Sequence, residues 1–238
     1  MERRLEPELL DELPVNDPGA VRSRKDLRRV NAWMGNARIL TRTLKHHFPK
    51  RLPDKIVELG AGDGVFLLRV AQQLNGRAQN TVAVLIDRQD LVVPETRGAF
   101  NALGWKVESI NADAIDWLKQ STTSGYDVML ANLFLHHLDA PRLRQLLREA
   151  TKRTSLFVAL EPRRSGVALL FSRLVGLIGC NYITRHDAKV SVRAGFRDKE
   201  LSNLWPERNS WFLQERPAGP FSHLFVARRL SHAEVSPR

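Results

Sequence analysis

The sequence lacks the residues that would staple it covalently or build a sulfur-ligated metal site. Cys180 is the one cysteine among 238 residues, which excludes an intrachain disulfide and any multi-cysteine centre, and no metal is assigned. Aromatic residues make up 7%, and none of the basic clusters has the interleaved aromatics of an RNA reader. No run reaches the roughly 18 uncharged apolar residues that a membrane span requires. The opening MERRLEPELLDELP has neither an apolar core nor a small-residue cleavage pattern, so no secretory leader is expected there and a cytoplasmic location is. No stretch is biased enough to stay disordered, and there are no internal repeats.

What is plentiful is positive charge, at a net +11. It is unevenly placed. Residues 1–55 carry 13 basic and 8 acidic side chains, residues 56–163 carry 12 of each, and residues 164–238 carry 12 and 6. The excess therefore belongs to the flanks, where it suits nucleic acid, anionic lipid or an anionic small molecule, or a merely solvated face.

Along the chain, residues 23–47 read as a helix, with Gly35-Asn36 as a point of interruption, and 1–50 as an N-terminal helical cap on a main unit at 51–238. From KIVEL onward apolar strands alternate with amphipathic helices: TVAVLID, KVESINADA, YDVMLA (126–131) and SLFVALEP, with helices at VFLLRVAQQL, around Glu95–Leu103 and at 140–151. Strands separated by helices of this length pair in parallel with right-handed crossovers. SWFLQER and SHLFVARR, parted by Pro217-Ala218-Gly219-Pro220, read as a hairpin. The expected fold is α/β, a doubly wound, mostly parallel seven-stranded sheet with an antiparallel C-terminal hairpin. Residues 166–180 form a strongly apolar helix with one charge, Arg173, read as core packing or as part of a substrate-side lid over 165–200; its length and lone charge also permit membrane-surface contact, though the usual lysine-rich polar face is missing. RHDAKVSVRAGF reads as a polar stretch.

The chemistry concentrates in VELGAGDGVF, residues 57–66. Glycines at 60, 62 and 64 permit a tight turn and close approach of backbone to ligand before the next helix. Asp87 ends the following strand, 23 residues after Gly64, where a carboxylate accepts hydrogen bonds from ribose hydroxyls. Dinucleotide enzymes space these glycines differently, so that a helix N-terminus meets pyrophosphate. Here Glu58 precedes the turn; it would repel pyrophosphate but suits the cationic amino group of a methionine moiety. Asp113, after the third strand, offers a second carboxylate to an adenine amino group.

VELGAGDG, VLID, INADA and YDVMLANLFLHHL resemble, in order and spacing over residues 55–162, the successive motifs of class I S-adenosylmethionine-dependent methyltransferases, which have a Rossmann-like sheet. The resemblance implies S-adenosylmethionine as cofactor, with Glu58, Gly60, Ala61 and Gly62 around the methionine part. It places Asp87 and its neighbour Arg88 at the ribose, Asp113 and Ala114 at the adenine, and Asn132-Leu133 beside the sulfonium. DLRRVNAWMGNARI, RHDAKVSVRAGF, ELSNLWP and GPFSHLFVARR resemble a bacterial small-molecule subgroup often found beside polyketide-type biosynthesis genes, which places Trp33, Gly35 and Asn36 over the cofactor.

Acceptor chemistry is narrowed by another absence. Enzymes acting on exocyclic nitrogens carry an Asn/Asp-Pro-Pro-aromatic box after the fourth strand; here Asn132-Leu133-Phe134-Leu135 has no proline. His136 could deprotonate a phenol or enol, or shape the loop with His137. His186, beside Asp187, is a second candidate base, and Arg163 a candidate for an acidic or phenolic oxygen; Trp33, Asn36 and His137 complete the expected acceptor side. Alignment of reactants alone can also supply much of the rate, without a base. The expectation is methyl transfer to oxygen or carbon of a small hydrophobic or aromatic metabolite. RNA and quinone-pathway acceptors, or a non-catalytic cofactor-binding partner, are the alternatives.

Overall fold

Five of the apolar runs become parallel strands, and all but the edge strand KVESIN are buried on both faces. In the computed structural model, which describes residues 1–74, 80–121 and 125–231, these are β1 (Lys55–Leu59), β2 (Val82–Asp87), β3 (Lys106–Asn111), β4 (Tyr126–Asn132) and β5 (Thr154–Pro162). β6 (Trp211–Ala218) and β7 (Ser222–Arg229) form the C-terminal hairpin. The sheet order is β3-β2-β1-β4-β5-β7-β6, with β7 antiparallel to both neighbours. Residues 232–238, the end of the main unit expected from residue 51 onward, lie outside the described residues.

The side-chain period of two sorts each strand between two cores. Ile56, Leu85, Val128, Leu130 and Val158 face one layer, formed by α3 (Asn36–His47), α4 (Val65–Gln73) and α5 (Pro94–Ala102). Val57, Leu59, Val84, Met129 and Phe157 face the other, which contains α6 (Ala114–Gln120), α7 (Ala140–Thr151) and α10 (Glu200–Leu204). α7 shows the helical counterpart. Its Asp139 cap accepts from the Arg142 N–H, Pro141 sits in the first turn, and Leu143, Leu146, Leu147 and Ala150 are buried at i, i+3, i+4 and i+7 spacing.

The N-terminal region contributes α1 (Leu9–Glu12) and α2 (Pro18–Met34) before α3. The single helix expected over 23–47 begins five residues earlier, where the Asp17 carboxylate caps the Ala20 N–H. It divides at Gly35, whose φ of 73° is left-handed.

Two expectations need correction. RHDAKVSVRAGF is not an irregular polar stretch; most of it lies in α9 (Tyr182–Ala194), capped by Asn181. Its buried face holds Thr184 and Asp187 beside Val190 and Ala194, so polar residues interrupt the apolar period that would have marked the helix. Residues 166–180 are not one core helix either. α8 spans Gly166–Leu174, a 3₁₀ turn follows over Val175–Ile178, and Gly179 at φ 79° ends it. Only Ala168 and Ser172 of α8 are buried; Leu169 is half-buried, and Val167, Leu170, Phe171 and Leu174 are exposed.

Candidate functional site

The ends of β1, β2 and β4 meet where the strand order reverses, the point at which open α/β sheets bind ligands. The turn after β1 is held open by its glycines. Gly60 has φ 69°, and a Cβ there would lie 2.3 Å from the Phe134 ring. Gly64, at φ 73°, would meet Leu85 at 2.8 Å. Gly62, at φ 54°, has open space where its side chain would be. Asp87 fixes the turn: its carboxylate accepts from the Gly62 N–H at 2.8 Å and the Gln89 N–H at 2.9 Å.

Glu58 occupies the centre of this edge, fully buried between Leu85 and Leu130 in the strand register. Its Oε2 has no hydrogen-bond partner. Burial, reinforced by Asp63 and Asp87, pushes its carboxyl well above the ordinary range. A carboxyl group in this state lowers its free energy by meeting a cation.

Asp113 caps α6 through the Ile115 and Asp116 N–H groups. Arg88 reaches it at 3.0 Å and Arg142 at 2.7 Å. Although burial opposes ionisation, these bonds hold the carboxyl down at about 2. Asn132, at the end of β4, accepts from Asn36 Nδ2 at 2.9 Å, and Asn36 Oδ1 accepts from the Ser222 hydroxyl at 2.5 Å. Asn36 thus orients Asn132 from behind. Leu133 follows at φ 53°, with its N–H on the Leu160 carbonyl at 2.8 Å.

His136 is enclosed between two carboxylates. Its Nδ1 lies 2.8 Å from Glu161 Oε2, and its Nε2 lies 3.4 Å from Glu8 Oε1. Burial alone would lower its pKa, but hydrogen bonds to Glu161 and Glu8 outweigh burial and raise it to about 9. Glu161 also accepts from the Phe134, Leu135 and His136 N–H groups at 3.1, 2.8 and 3.3 Å, so one carboxylate shapes the whole loop after β4. Glu8, His136 and His137 each place a ligand atom within 4.8 Å of the others and could hold a metal ion once His136 had lost its proton.

These elements enclose a cavity of about 880 Å³, near the top of the range of about 300–1,000 Å³ seen for small-molecule sites. Of the residues expected on the cofactor, Glu58, Gly60, Ala61, Gly62, Asp87, Arg88, Asp113, Ala114, Asn132 and Leu133 all line it. On the opposite wall Trp33 stacks on Phe221 at 5.5 Å, and Phe171 meets Phe221 edge-on at 5.0 Å. Trp33, His136 and His137 also line the cavity.

Three expected acceptor-side residues are not brought to its lining. Asn36 is buried behind Asn132. Arg163 pairs its backbone with Phe196 at the end of β5. His186 sits part-exposed on α9, with Nδ1 3.0 Å from Asp187. Asp187 itself accepts from the Leu9 and Leu10 N–H groups, tying α1 to α9. Sequence reasoning missed Glu8 and Glu161. Glu161 leaves one trace, a carboxylate inside the otherwise apolar SLFVALEP; Glu8 leaves none in an acidic leader.

A glycine turn after β1, a carboxylate ending β2 and a cavity at the reversal of strand order define a nucleoside-cofactor-binding α/β protein. Residues 56–155 match the family described as "Methyltransferase domain". A curated carboxy-S-adenosyl-L-methionine synthase from Nautilia profundicola is 27% identical over 111 residues, 45% of this chain and 44% of the relative, so the match spans less than half of either. Among solved structures, the plantazolicin methyltransferase BamL, crystallised with a desmethyl-plantazolicin analogue and SAH, superposes with a TM-score of 0.64 at 13% identity, covering 90% of this chain and 92% of its own. The mitomycin 7-O-methyltransferase MmcR gives 0.61 at 19%, covering 93% and 60%. At these identities the likeness is one of fold.

Proposed function

We propose that the protein transfers a methyl group from S-adenosylmethionine to an oxygen or carbon of a small, largely apolar and aromatic acceptor. One observation carries this: the buried Glu58 carboxyl oxygen without a partner, facing a cavity whose opposite wall is an aromatic cluster. The residues present fit the cofactor. Glu58 offers a carboxylate to the amino group of the methionine moiety, the space at Gly62 admits close backbone approach, and Asp87 retains acceptor capacity for ribose hydroxyls beside its two backbone donors. Asp113 anchors the adenine side through its helix cap, with Arg88 bridging to it. The cofactor supplies an electrophilic methyl group on a sulfonium.

The chain's own residues hold and align. Asn132, oriented by Asn36, and Leu133 form the floor beside the reacting centre. Trp33, Phe171 and Phe221 provide faces against which an aromatic or alkyl acceptor packs, and residues 1–50 together with 165–200 cover it. His136 serves this reading as a positioning residue. A histidine kept protonated by two carboxylates does not take a proton at neutral pH, and its loop sets the place of Phe134 and His137. His137 meets the acceptor. Rate enhancement then comes chiefly from alignment and exclusion of water. Two of the fold neighbours are named as a plantazolicin methyltransferase and a mitomycin 7-O-methyltransferase. The test is mass spectrometry of metabolite extracts incubated with the protein and methyl-labelled cofactor. Transfer of label to an apolar small molecule is expected; label recovered only in RNA, or in nothing, would overturn the reading.

A further inference from the structure

Of the outward face of α8 and its 3₁₀ extension, Phe171 and Ile178 line the cavity and the rest does not. Val167, Leu170, Phe171, Leu174, Leu177 and Ile178 are all exposed large hydrophobics, spaced so that they share one side of the helix and its 3₁₀ extension. Leu177 is 83% exposed and Leu170 56%. Single exposed apolar residues are ordinary, whereas a contiguous helix face marks a contact surface. Two amphipathic aromatics flank it. Trp33, 67% exposed, touches Phe171, and Tyr182, 70% exposed, opens α9.

The uncommitted charge at this face is positive, since Arg164 is buried against Glu200 and the neighbouring Asp26 is buried against Arg29. Residues 162–186 contain four arginines and no acidic side chain. Arg173 lies on α8, and the Arg185 guanidinium lies over Gly176, where an added Cβ would be 2.9 Å from its Nε. Among the described residues neither arginine forms an ion pair. The next acid, Asp187, is buried and committed to the Leu9 and Leu10 N–H groups.

We propose that this face docks on the surface of an anionic lipid bilayer. The apolar side chains enter the boundary between headgroups and acyl chains, Trp33 and Tyr182 sit at headgroup level, and Arg173 and Arg185 meet the lipid phosphates and carboxylates. α8 has nine residues, which suits lying in the interface and not crossing it. A second copy of this chain is the less suitable occupant. Face-to-face pairing would bring these arginines together, and the acids nearest them, Asp26 and Asp187, are buried and already committed. Phe171 and Ile178 also line the cavity, so docking would set the cavity beside the bilayer. The inference stands whatever the acceptor is.

The test is co-sedimentation of the full chain with phosphatidylcholine vesicles, with and without about one-third phosphatidylserine. Binding is expected to the anionic vesicles, to weaken with salt, and to fall about fivefold for each of Arg173→Gln and Arg185→Gln, since each basic side chain near such a surface contributes about that factor. The triple variant Leu170→Gln/Leu174→Gln/Leu177→Gln, outside the cavity lining, is expected to lose at least about tenfold in partitioning while keeping the parent circular dichroism and thermal midpoint. Failure of the parent to bind anionic vesicles would overturn the proposal. So would undiminished binding by the folded triple variant, which would assign attachment to basic residues elsewhere. A parent dimer in sedimentation velocity that the triple variant abolishes would assign the face to a second copy and overturn it equally.

Discussion

Removing the Glu161 carboxylate should destabilise the chain more than any exposed substitution. In Glu161→Ala, the Phe134, Leu135 and His136 N–H groups lose their acceptor, and His136 loses the partner at its Nδ1. A buried donor left without a partner costs about 1–3 kcal/mol, and breaking a buried charge pair by deleting one member costs about 3–5 kcal/mol. Glu8, 3.4 Å from Nε2, retains part of the charge interaction, and the His136 ring can shed its proton to avoid a buried unpaired charge. These effects overlap, so the net cost should be about 3–5 kcal/mol, a large share of the roughly 5–15 kcal/mol that holds a domain together. Urea unfolding of parent, Glu161→Ala and Glu161→Gln measures it. With a slope of about 1–3 kcal/mol/M, the alanine variant should unfold at least about 1 M earlier. Glu161→Gln, keeping an amide oxygen as acceptor, should fall between. An alanine variant within about 1 kcal/mol of the parent at unchanged slope would refute the reasoning, because the loop after β4 would then owe little to this carboxylate.

Three further outcomes follow from the same geometry. His136 has its pKa raised from 6.5 to about 9, so its contribution is complete below pH about 6.5 and is lost as pH rises through about 9. Urea stability of the parent should fall across that window by an amount on the order of 3 kcal/mol, and His136→Gln should flatten the fall. Gly60→Ala should destabilise by about 1–3 kcal/mol, because a Cβ there meets the Phe134 ring at 2.3 Å in a left-handed backbone; a neutral thermal shift would contradict the placement of that ring. Asp87→Ala should remain folded by circular dichroism while cofactor affinity falls at least about tenfold, the equivalent of one charged hydrogen bond; parent-like calorimetric affinity would remove Asp87 from the ribose.

The parallel sheet could be read from sequence because its inner strands β1, β2, β4 and β5 are buried on both faces. KIVEL and TVAVLID are apolar without alternation, and the glycines between β1 and α4 are required by φ values that other residues resist. α9 was hidden for the opposite reason, since Thr184 and Asp187 occupy its buried face and interrupt the apolar period. Residues 166–180 misled differently. Their apolar content fitted a core helix as well as a lid, and most of those side chains are exposed, against the core reading. Within the site, Glu58 and Asp87 announced themselves by position beside glycines and at a strand end. Glu8 could not, because its contacts with His136 and Ser191 join segments remote in sequence. His186 looked chemical beside Asp187, but α9 carries it away from the cavity.

The central claim is that Glu58 waits for the cationic end of a sulfonium cofactor. Isothermal titration with S-adenosylhomocysteine, which shares the amino group, nucleoside and ribose, tests it most directly when run on the parent and Glu58→Gln. Removing the unpartnered, ionisable oxygen while keeping the side-chain volume should leave the variant folded, at least as stable as the parent, and weakened in affinity by at least about tenfold. Tight binding by the parent, with that loss in the variant, is the predicted result. A parent that does not bind, or a variant that binds equally well, would contradict the account.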